Sequence, residues 1–239
     1  FVVSVENSAG SLTRMLVEFY HKTAIKHLSQ SQIMDAMIFI EKHFDIVDNQ
    51  NSYNYLDVLA MGEKLWNAKK IDGIFIDPYN ALELDEGLLK TYGDHNYHYR
   101  VTSAFRNFTK KHDCCIYLNC HAVTEALRRT WGKDNAPDSE VIGHPMPPKK
   151  SDIEGGGKFA NRADDFLIIH RYTQHKSLYR VTEIHVVKTK ETETGGKNTP
   201  LSEPIKLTLA DGNCNFLPYG FHEIYEDEPS ATFIEKPPF

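Results

Sequence analysis

Short apolar runs that end on polar residues alternate with longer amphipathic segments in the first half of the chain. The apolar runs are FVVSVEN at the start, IDGIFIDPYNAL at 71–82 and CCIYLNCH at 114–121. The amphipathic stretches lie between them, at residues 10–28, 55–68 and 97–112. Strands that alternate with helices indicate βαβ units, whose strands are parallel and whose crossovers are right-handed. The pattern therefore predicts an α/β fold with a mostly parallel central sheet flanked by helices.

The three apolar runs deliver chemically useful side chains at their ends, namely Glu6, Asp77 and His121. Ligands of open α/β sheets bind beyond the carboxyl ends of parallel strands, so we expect these residues side by side on one edge. A strand-ending aspartate there can hold Mg²⁺ through its water shell. Each residue also has a structural alternative, because acidic side chains at strand ends often cap a turn or helix and histidines there are often simply hydrogen-bonded.

The pattern changes after residue 165 to short alternating runs separated by turn residues such as DGN. These runs are FLIIHRY, SLYRVTEIHVVK, EPIKLTLA and CNFLP, and they predict antiparallel strands added to the C-terminal part of the sheet. Residues 219–239 are acidic and contain proline, which is typical of a flexible or partner-docking tail. We therefore expect one domain at residues 1–218, followed by a tail.

Composition narrows the functional class. The net charge of −6 argues against a surface that is coated by nucleic acid, yet it allows contacts confined to a pore. No segment approaches the ~18 apolar residues of a membrane span, so we expect no membrane association and a cytoplasmic location. The four cysteines lack metal-type spacing and indicate a reducing compartment. The histidine-rich run DHNYHY is interpreted as a polar loop and helix start rather than a metal site.

Five segments occur in a specific order, namely SVEN, GIFIDPYNAL, IYLNCHAVTEALR, GGGKFANRADDFLIIHR and VTEIHVVKTKETETGG. In this order the chain resembles, from residue 1 to about 218, the ATPase domain of ring-forming replicative helicases of the DnaB and Twinkle type. The resemblance implies a RecA-like P-loop NTPase fold that hydrolyses ATP with Mg²⁺ and translocates on single-stranded DNA. It also implies a ring, expected to be a hexamer, contact with primase or other replication proteins, and a bacterial or phage origin.

The resemblance assigns roles residue by residue. Glu6 matches the carboxylate that polarises the attacking water, Asp77 the aspartate that orients Mg²⁺, and His121 the sensor of the γ-phosphate. Lys188 and Lys190 match a basic pair that reaches the neighbouring subunit's nucleotide, and their spacing places them on one strand face. The second of the pair is usually arginine, and lysine is a point charge rather than a bidentate fork. Two other candidates for this role are Arg171 and Arg180.

The segment 128–158 is long, rich in proline and glycine and without periodicity, which predicts a functional loop without regular structure. The resemblance places here the loop that touches single-stranded DNA in the ring's channel. Candidate phosphate ligands are Lys149, Lys150 and Lys158, and the glycines at 155–157 would permit close backbone approach. The following Asn161, Ala163, Asp164 and Asp165 match the family and support this placement. The alternative is a solvated insertion whose lysines face water.

The phosphate loop G-x-x-x-x-G-K-[ST] does not occur in these 239 residues. In the related helicases it directly precedes the first strand of this chain, so we expect the chain to be a fragment that binds ATP poorly by itself. A second hypothesis is a non-catalytic RecA-like module for DNA binding or assembly. A recombinase or circadian-clock-type ATPase of the same superfold is a third, which the DPYN and ADD motifs disfavour.

Overall fold

The structure, a computed structural model, describes residues 1–153 and 161–220, without the side chains of residues 94, 95, 194 and 195. Its helices are α1 (Ala9–His21), α2 (Gln30–His43), α3 (Tyr55–Lys69), α4 (Glu86–His112), α5 (Thr124–Leu127) and α6 (Thr192–Gly195). Its strands are β1 (Val2–Ser4), β2 (Gly73–Asp77), β3 (Cys115–Leu118), β4 (Phe166–Arg171), β5 (Val181–Lys188), β6 (Ile205–Leu209) and β7 (Phe216–Pro218). In the part of the chain so described, no helix is both long and apolar enough to cross a membrane.

The first three strands form the predicted parallel sheet, in the order β1-β2-β3. Ser4 pairs with Asp77 across β1 and β2, and Ile76 pairs with Leu118 across β2 and β3. A parallel bridge from Val2 to Ile46 adds a short fourth position outside β1. The carboxyl ends of the strands therefore lie next to one another, as the sequence predicts.

One face of this sheet carries the main core. Ile74 and Ile76 on β2 are fully buried, and α3 and α4 cover them with residues such as Val58 and Val101. Between them Phe75 points to the opposite face and is largely exposed. A shift of β2 by one residue would exchange these faces, so burial of the two isoleucines fixes the register that places Asp77 at the sheet edge.

The last four strands form a separate antiparallel sheet in the order β4-β5-β6-β7. The predicted antiparallel strands are confirmed, but no hydrogen-bonded ladder among the described residues joins them to the parallel sheet. Within that portion, β3 and β4 each have one edge without a strand partner. The side chains of Tyr117, Leu167 and Ile169 on these two strands are 58%, 56% and 68% exposed.

The helices differ from the predicted stretches in three places. The stretch at 10–28 is divided into α1, a break and a 3-10 turn at Ile25–His27. Helix α2 was not predicted; it starts with a capping box formed by Ser29 and Gln32 and packs on α1 through Ala36 and Ile40. Helix α4 starts earlier than predicted and kinks at Gly93, whose φ is 69°.

Gly62 marks the closest approach of α3 to the sheet. A Cβ added there would lie 2.8 Å from Ile74 Cδ1 and 3.1 Å from Phe108 Cζ, both in the packed core. We expect Gly62→Ala to lower the free energy of unfolding by roughly 1–3 kcal/mol because of overpacking, as measured by urea denaturation. Gly10→Ala in α1 is the matched control. Nothing lies within 4 Å of its added Cβ, so we expect no loss of stability, and equal losses in both variants would contradict this packing argument.

Candidate functional site at the carboxyl edge

The carboxyl edge of the parallel sheet brings together the predicted Glu6, Asp77 and His121. Asp77 is the last residue of β2, and Glu6 lies two residues beyond β1 with its side chain exposed. The backbone N–H of Val5 donates to the carbonyl of Asp77 over 3.0 Å, which holds the two chain segments together beyond the strands. Glu6 and Asp77 are thus neighbours on adjacent strand ends.

His121 reaches this edge from a turn rather than from a strand end. Strand β3 stops at Leu118, because the side-chain amide of Asn119 turns to donate to the Asp77 carboxylate. The backbone N–H of His121 then donates to Asn80 Oδ1 over 2.9 Å. The prediction that the strand itself ends on His121 is therefore wrong, although the exposed imidazole still belongs to the same edge.

Asn80 and Asn119 join the ends of β2 and β3, and the sequence analysis assigned a role to neither. The backbone N–H of Tyr79 donates to the carbonyl of Asn119 over 2.7 Å, and the N–H of Asn119 donates to the carbonyl of Ile76 over 2.9 Å. The Tyr79 hydroxyl in turn lies 2.8 Å from Nδ1 of the buried His98 on α4. The only available sequence signal was an asparagine shortly after each predicted strand end.

The edge suits a hydrated magnesium ion better than a dehydrated metal. Among residues 1–153 and 161–220, no group of three or more His, Cys, Asp or Glu side chains is placed to hold a metal ion. Mg²⁺ keeps most of its waters and commonly uses one or two carboxylates together with substrate phosphates, so Asp77 fits that role. A phosphate cradle is a different matter: the sequence contains no phosphate loop, and these residues do not by themselves fit ATP.

The predicted basic pair lies at the end of β5 and contacts its own chain. Lys188 is the last strand residue and its Nζ donates to the carbonyl of Ala163 over 2.6 Å. Lys190 lies beyond the strand, so the two lysines do not share a strand face; its Nζ is 2.9 Å from Asp164, which also pairs with Arg106. Partial burial opposes ionisation of Asp164, but these cations lower its pKa. Contact with a neighbouring subunit stays a prediction.

The two alternative arginines bind backbone carbonyls within the antiparallel sheet. Arg171 donates to the carbonyl of Tyr179 over 2.7 Å, and Arg180 donates to the carbonyl of Leu209 over 2.8 Å. Both contacts hold turns at the ends of strands. This geometry supports a structural role for both side chains.

The segment 128–158 was predicted to lack structure, and for residues 129–146 this is wrong. The segment doubles back on itself through an antiparallel bridge between Thr130 and Pro145. The N–H of Gly143 donates to the carbonyl of Trp131 over 2.8 Å, and the N–H of Trp131 donates to that of His144 over 3.0 Å. The segment is therefore a closed, hydrogen-bonded loop.

A buried polar cluster fastens this loop to the antiparallel sheet. Trp131 Nε1 donates to the hydroxyl of Tyr172 over 3.1 Å, and both residues are buried. Beneath them lie His170, Glu183 and His185, also buried, with His185 Nε2 3.4 Å from a Glu183 oxygen. Burial and the charge of Glu183 raise the pKa of Tyr172 to about 12. Burial lowers the pKa of His170.

The predicted DNA-contacting lysines follow this anchored loop. Lys149 and Lys150 are both exposed. The backbone N–H of Lys149 donates to the Asp152 carboxylate, which also binds Arg129. The two lysines therefore project into solvent from a fixed turn. Lys158 and the glycines at 155–157 lie outside the described residues, as does the predicted tail from residue 221 onward.

Comparison with solved structures identifies the fold. One similar structure is the ATPase domain of a DnaB-like helicase, with a TM-score of 0.64 and 15% identity over 91% of this chain and 73% of that one. Another is a DnaB-like replicative helicase studied with primase, with a TM-score of 0.64 and 14% identity over 90% of this chain and 50% of that one. No protein-family model and no curated protein matches the sequence.

The chain has the RecA-like fold of these helicase ATPase domains. The predicted resemblance and fold class are thus confirmed by structure, although sequence identity is low. In this helicase-type ATPase fold, the edge that carries Glu6, Asp77 and His121 lies where α/β sheets bind ligands. The chain spans only half of the DnaB-like replicative helicase that was studied with primase.

The buried His170 predicts that the loop anchor weakens in mild acid. Its pKa is lowered by folding, so its stabilising contribution is complete above the unfolded value of about 6.5 and is lost as pH falls below it. The depressed pKa of Glu183 acts only below about 4.5, outside this range. We expect Trp131 fluorescence, in a Trp66→Phe background, to report a lower midpoint in urea at pH 5.5 than at pH 7.5.

His170→Gln should flatten this dependence on pH, because it removes the group that takes up the proton. His27→Gln, at an exposed histidine of the 3-10 turn, is the control and should retain it. An unchanged dependence in His170→Gln would show that another group is responsible.

Proposed function

We propose that this chain is the motor portion of a replicative DNA helicase, which couples ATP hydrolysis to translocation on single-stranded DNA within a ring of six copies. The observation that supports it is the pairing of Glu6 and Asp77 on adjacent strand ends in a fold shared with helicase ATPase domains. A carboxylate for water and another for a cation are what hydrolysis of a phosphoanhydride requires.

Each edge residue is prepared for a separate task. The exposed Glu6 carboxylate has no hydrogen bond or ion pair with the described residues, and is free to accept a proton from water. Asp77 is held by Asn119 and would bind Mg²⁺ through its waters, where the ion would neutralise phosphate charge. Asn80 fixes the backbone of His121 and leaves the imidazole exposed to meet a phosphate oxygen.

Phosphate binding requires a cradle of backbone N–H groups that these residues do not supply. The proposal assigns it to a strand and glycine-rich loop outside this sequence, entering beside the open edge of β3. The exposed Tyr117 on that strand gives an incoming apolar strand something to cover. On this proposal the 239 residues alone bind ATP weakly.

Coupling to DNA would use the anchored loop and the basic pair. Lys149 and Lys150 would meet phosphates of the single strand in the channel, with Lys158 beside them. Lys188 and Lys190 would have to exchange Ala163 and Asp164 for a neighbour's nucleotide, so subunit contact would release the 161–165 segment. Primase is a candidate partner because one similar structure is a helicase studied with it.

A second function has its own supporting observation, the lack of a phosphate loop in the sequence. In that case the chain would be a non-catalytic DNA-binding or assembly module. The same lysines would bind DNA, but no hydrolysis would accompany binding.

Glu6→Gln tests the motor. In the natural protein that contains this chain, we expect the substitution to reduce hydrolysis stimulated by single-stranded DNA by roughly 10²–10⁴-fold, because the amide cannot take a proton from water. Its melting temperature should not change, since the side chain is exposed. Steady-state phosphate release measures the rate, and Glu41→Gln on the exposed surface of α2 is the control.

Two results would count against the proposal in different ways. Full activity in Glu6→Gln would remove Glu6 from the mechanism. A folded natural protein that hydrolyses no ATP with DNA present would exclude the motor and leave the binding module.

A further inference from the structure

The kink in α4 opens a groove that is separate from the carboxyl edge. The groove has a cavity volume of about 630 Å³ and lies in the elbow at Gly93, between the first turns of α4 and its longer second part. Tyr55 at the start of α3 forms one wall, and Tyr92 and Tyr99 of α4 form others. We call this feature the tyrosine groove.

Two guanidinium groups lie on the tyrosines of the groove. The Arg100 guanidinium is 3.6 Å from the ring centroid of Tyr92, and that of Arg162 is 4.0 Å from the ring centroid of Tyr99. Neither guanidinium forms an ion pair with a carboxylate that the structure describes. Their positive charges are therefore stacked on aromatic rings but not neutralised, and they remain available to an anion.

The position of Arg162 is itself fixed. Arg106 on α4 donates from Nη1 to the carbonyl of Arg162 over 3.0 Å and from Nη2 to Asp164 over 2.9 Å. The segment before β4 is thereby tied to α4. The second cation of the groove is held in place by contacts outside the groove, which lowers the entropy cost of using it.

A polar stripe runs along the floor. Asn96, Arg100, Ser103 and Asn107 recur at helical spacing and share one face of α4, over about 16 Å. Asn96 donates to the carbonyl of Tyr92 over 3.2 Å, while the Asn107 amide has no hydrogen-bond partner in the described part of the chain. The described lining residues include no carboxylate, and Leu88 and Ala104 are its sole aliphatic members.

We propose that the tyrosine groove binds single-stranded nucleic acid. Bases stack on aromatic rings without regard to sequence, phosphates meet guanidinium groups, and amides can pair with base edges. Tyr92 and Tyr99 are 36% and 48% exposed, which leaves ring surface for stacking. An apolar protein segment would find little aliphatic surface here. The proposal rests on the proposed function for a single strand as ligand, and adds a contact site distinct from Lys149 and Lys150.

The test measures binding of a fluorescein-labelled oligothymidylate of roughly 15 nucleotides to the full chain by anisotropy. Tyr99→Ala should weaken binding about 5-fold or more, since one stacked base contributes on the order of 1–3 kcal/mol. Arg100→Ala should weaken binding and reduce the dependence of log affinity on log salt by about 0.7, the share of one phosphate contact. The control is Tyr219→Ala, another exposed tyrosine beneath a cation, Lys206.

Photocrosslinking locates the strand independently of affinity. An oligonucleotide of the same length with 5-iodouracil should crosslink to the peptide that contains Tyr92 and Tyr99, as mapped by mass spectrometry. Crosslinks confined to other peptides, with unchanged affinity in Tyr99→Ala and Arg100→Ala, would overturn the groove.

The loop variant Lys149→Ala/Lys150→Ala separates the two proposals. If the loop variant alone loses affinity, the groove proposal is wrong and the DNA contact in the proposed function stands. If the groove variants alone lose affinity, the groove is supported and the assigned loop lysines are wrong. If the chain does not bind the oligonucleotide at all, the groove proposal is overturned, while hydrolysis in the natural protein still tests the motor.

Discussion

Backbone hydrogen bonding among β1, β2 and β3 decides where every candidate side chain at the edge lies. Because Ser4 pairs with Asp77 and Ile76 with Leu118, the three strands finish almost level, and the chain leaves each of them in the same direction. Burial of Ile74 and Ile76 beneath α3 and α4 prevents slippage of β2. The edge is thus a result of core packing, and chemistry is added to it by residues that the core does not use.

The amides behind the strands convert this edge into a connected unit. Asn119 reaches Asp77 across two strands, and Asn80 receives the backbone of His121 from the opposite direction. The two contacts cross between the same pair of strand ends, so β2 cannot move relative to β3 without breaking both. A change at the cation-binding aspartate would therefore reach the histidine through two short hydrogen-bonded steps.

Sequence predicted the features that arise from repeating patterns and missed those that arise from single contacts. The apolar runs around Ile74 and the alternation after residue 165 gave the strands correctly. Helix α2 was missed because its apolar residues surround the helix, with Met34 and Ile38 exposed while Ala36 and Ile40 are buried. The end of β3 depends on one asparagine side chain, and the order in the 129–146 loop depends on Trp131 meeting Tyr172. Neither contact leaves a periodic signal.

The open edges of β3 and β4 have a consequence for the behaviour of the polypeptide in solution. An unpaired strand presents a row of N–H and C=O groups, and Tyr117, Leu167 and Ile169 add apolar side chains beside it. Natural sheets protect such edges with charges, prolines or bulges, because they otherwise recruit strands from other chains. The chain by itself is thus exposed to aggregation through its backbone, and any segment that fills these edges would act as its intramolecular chaperone.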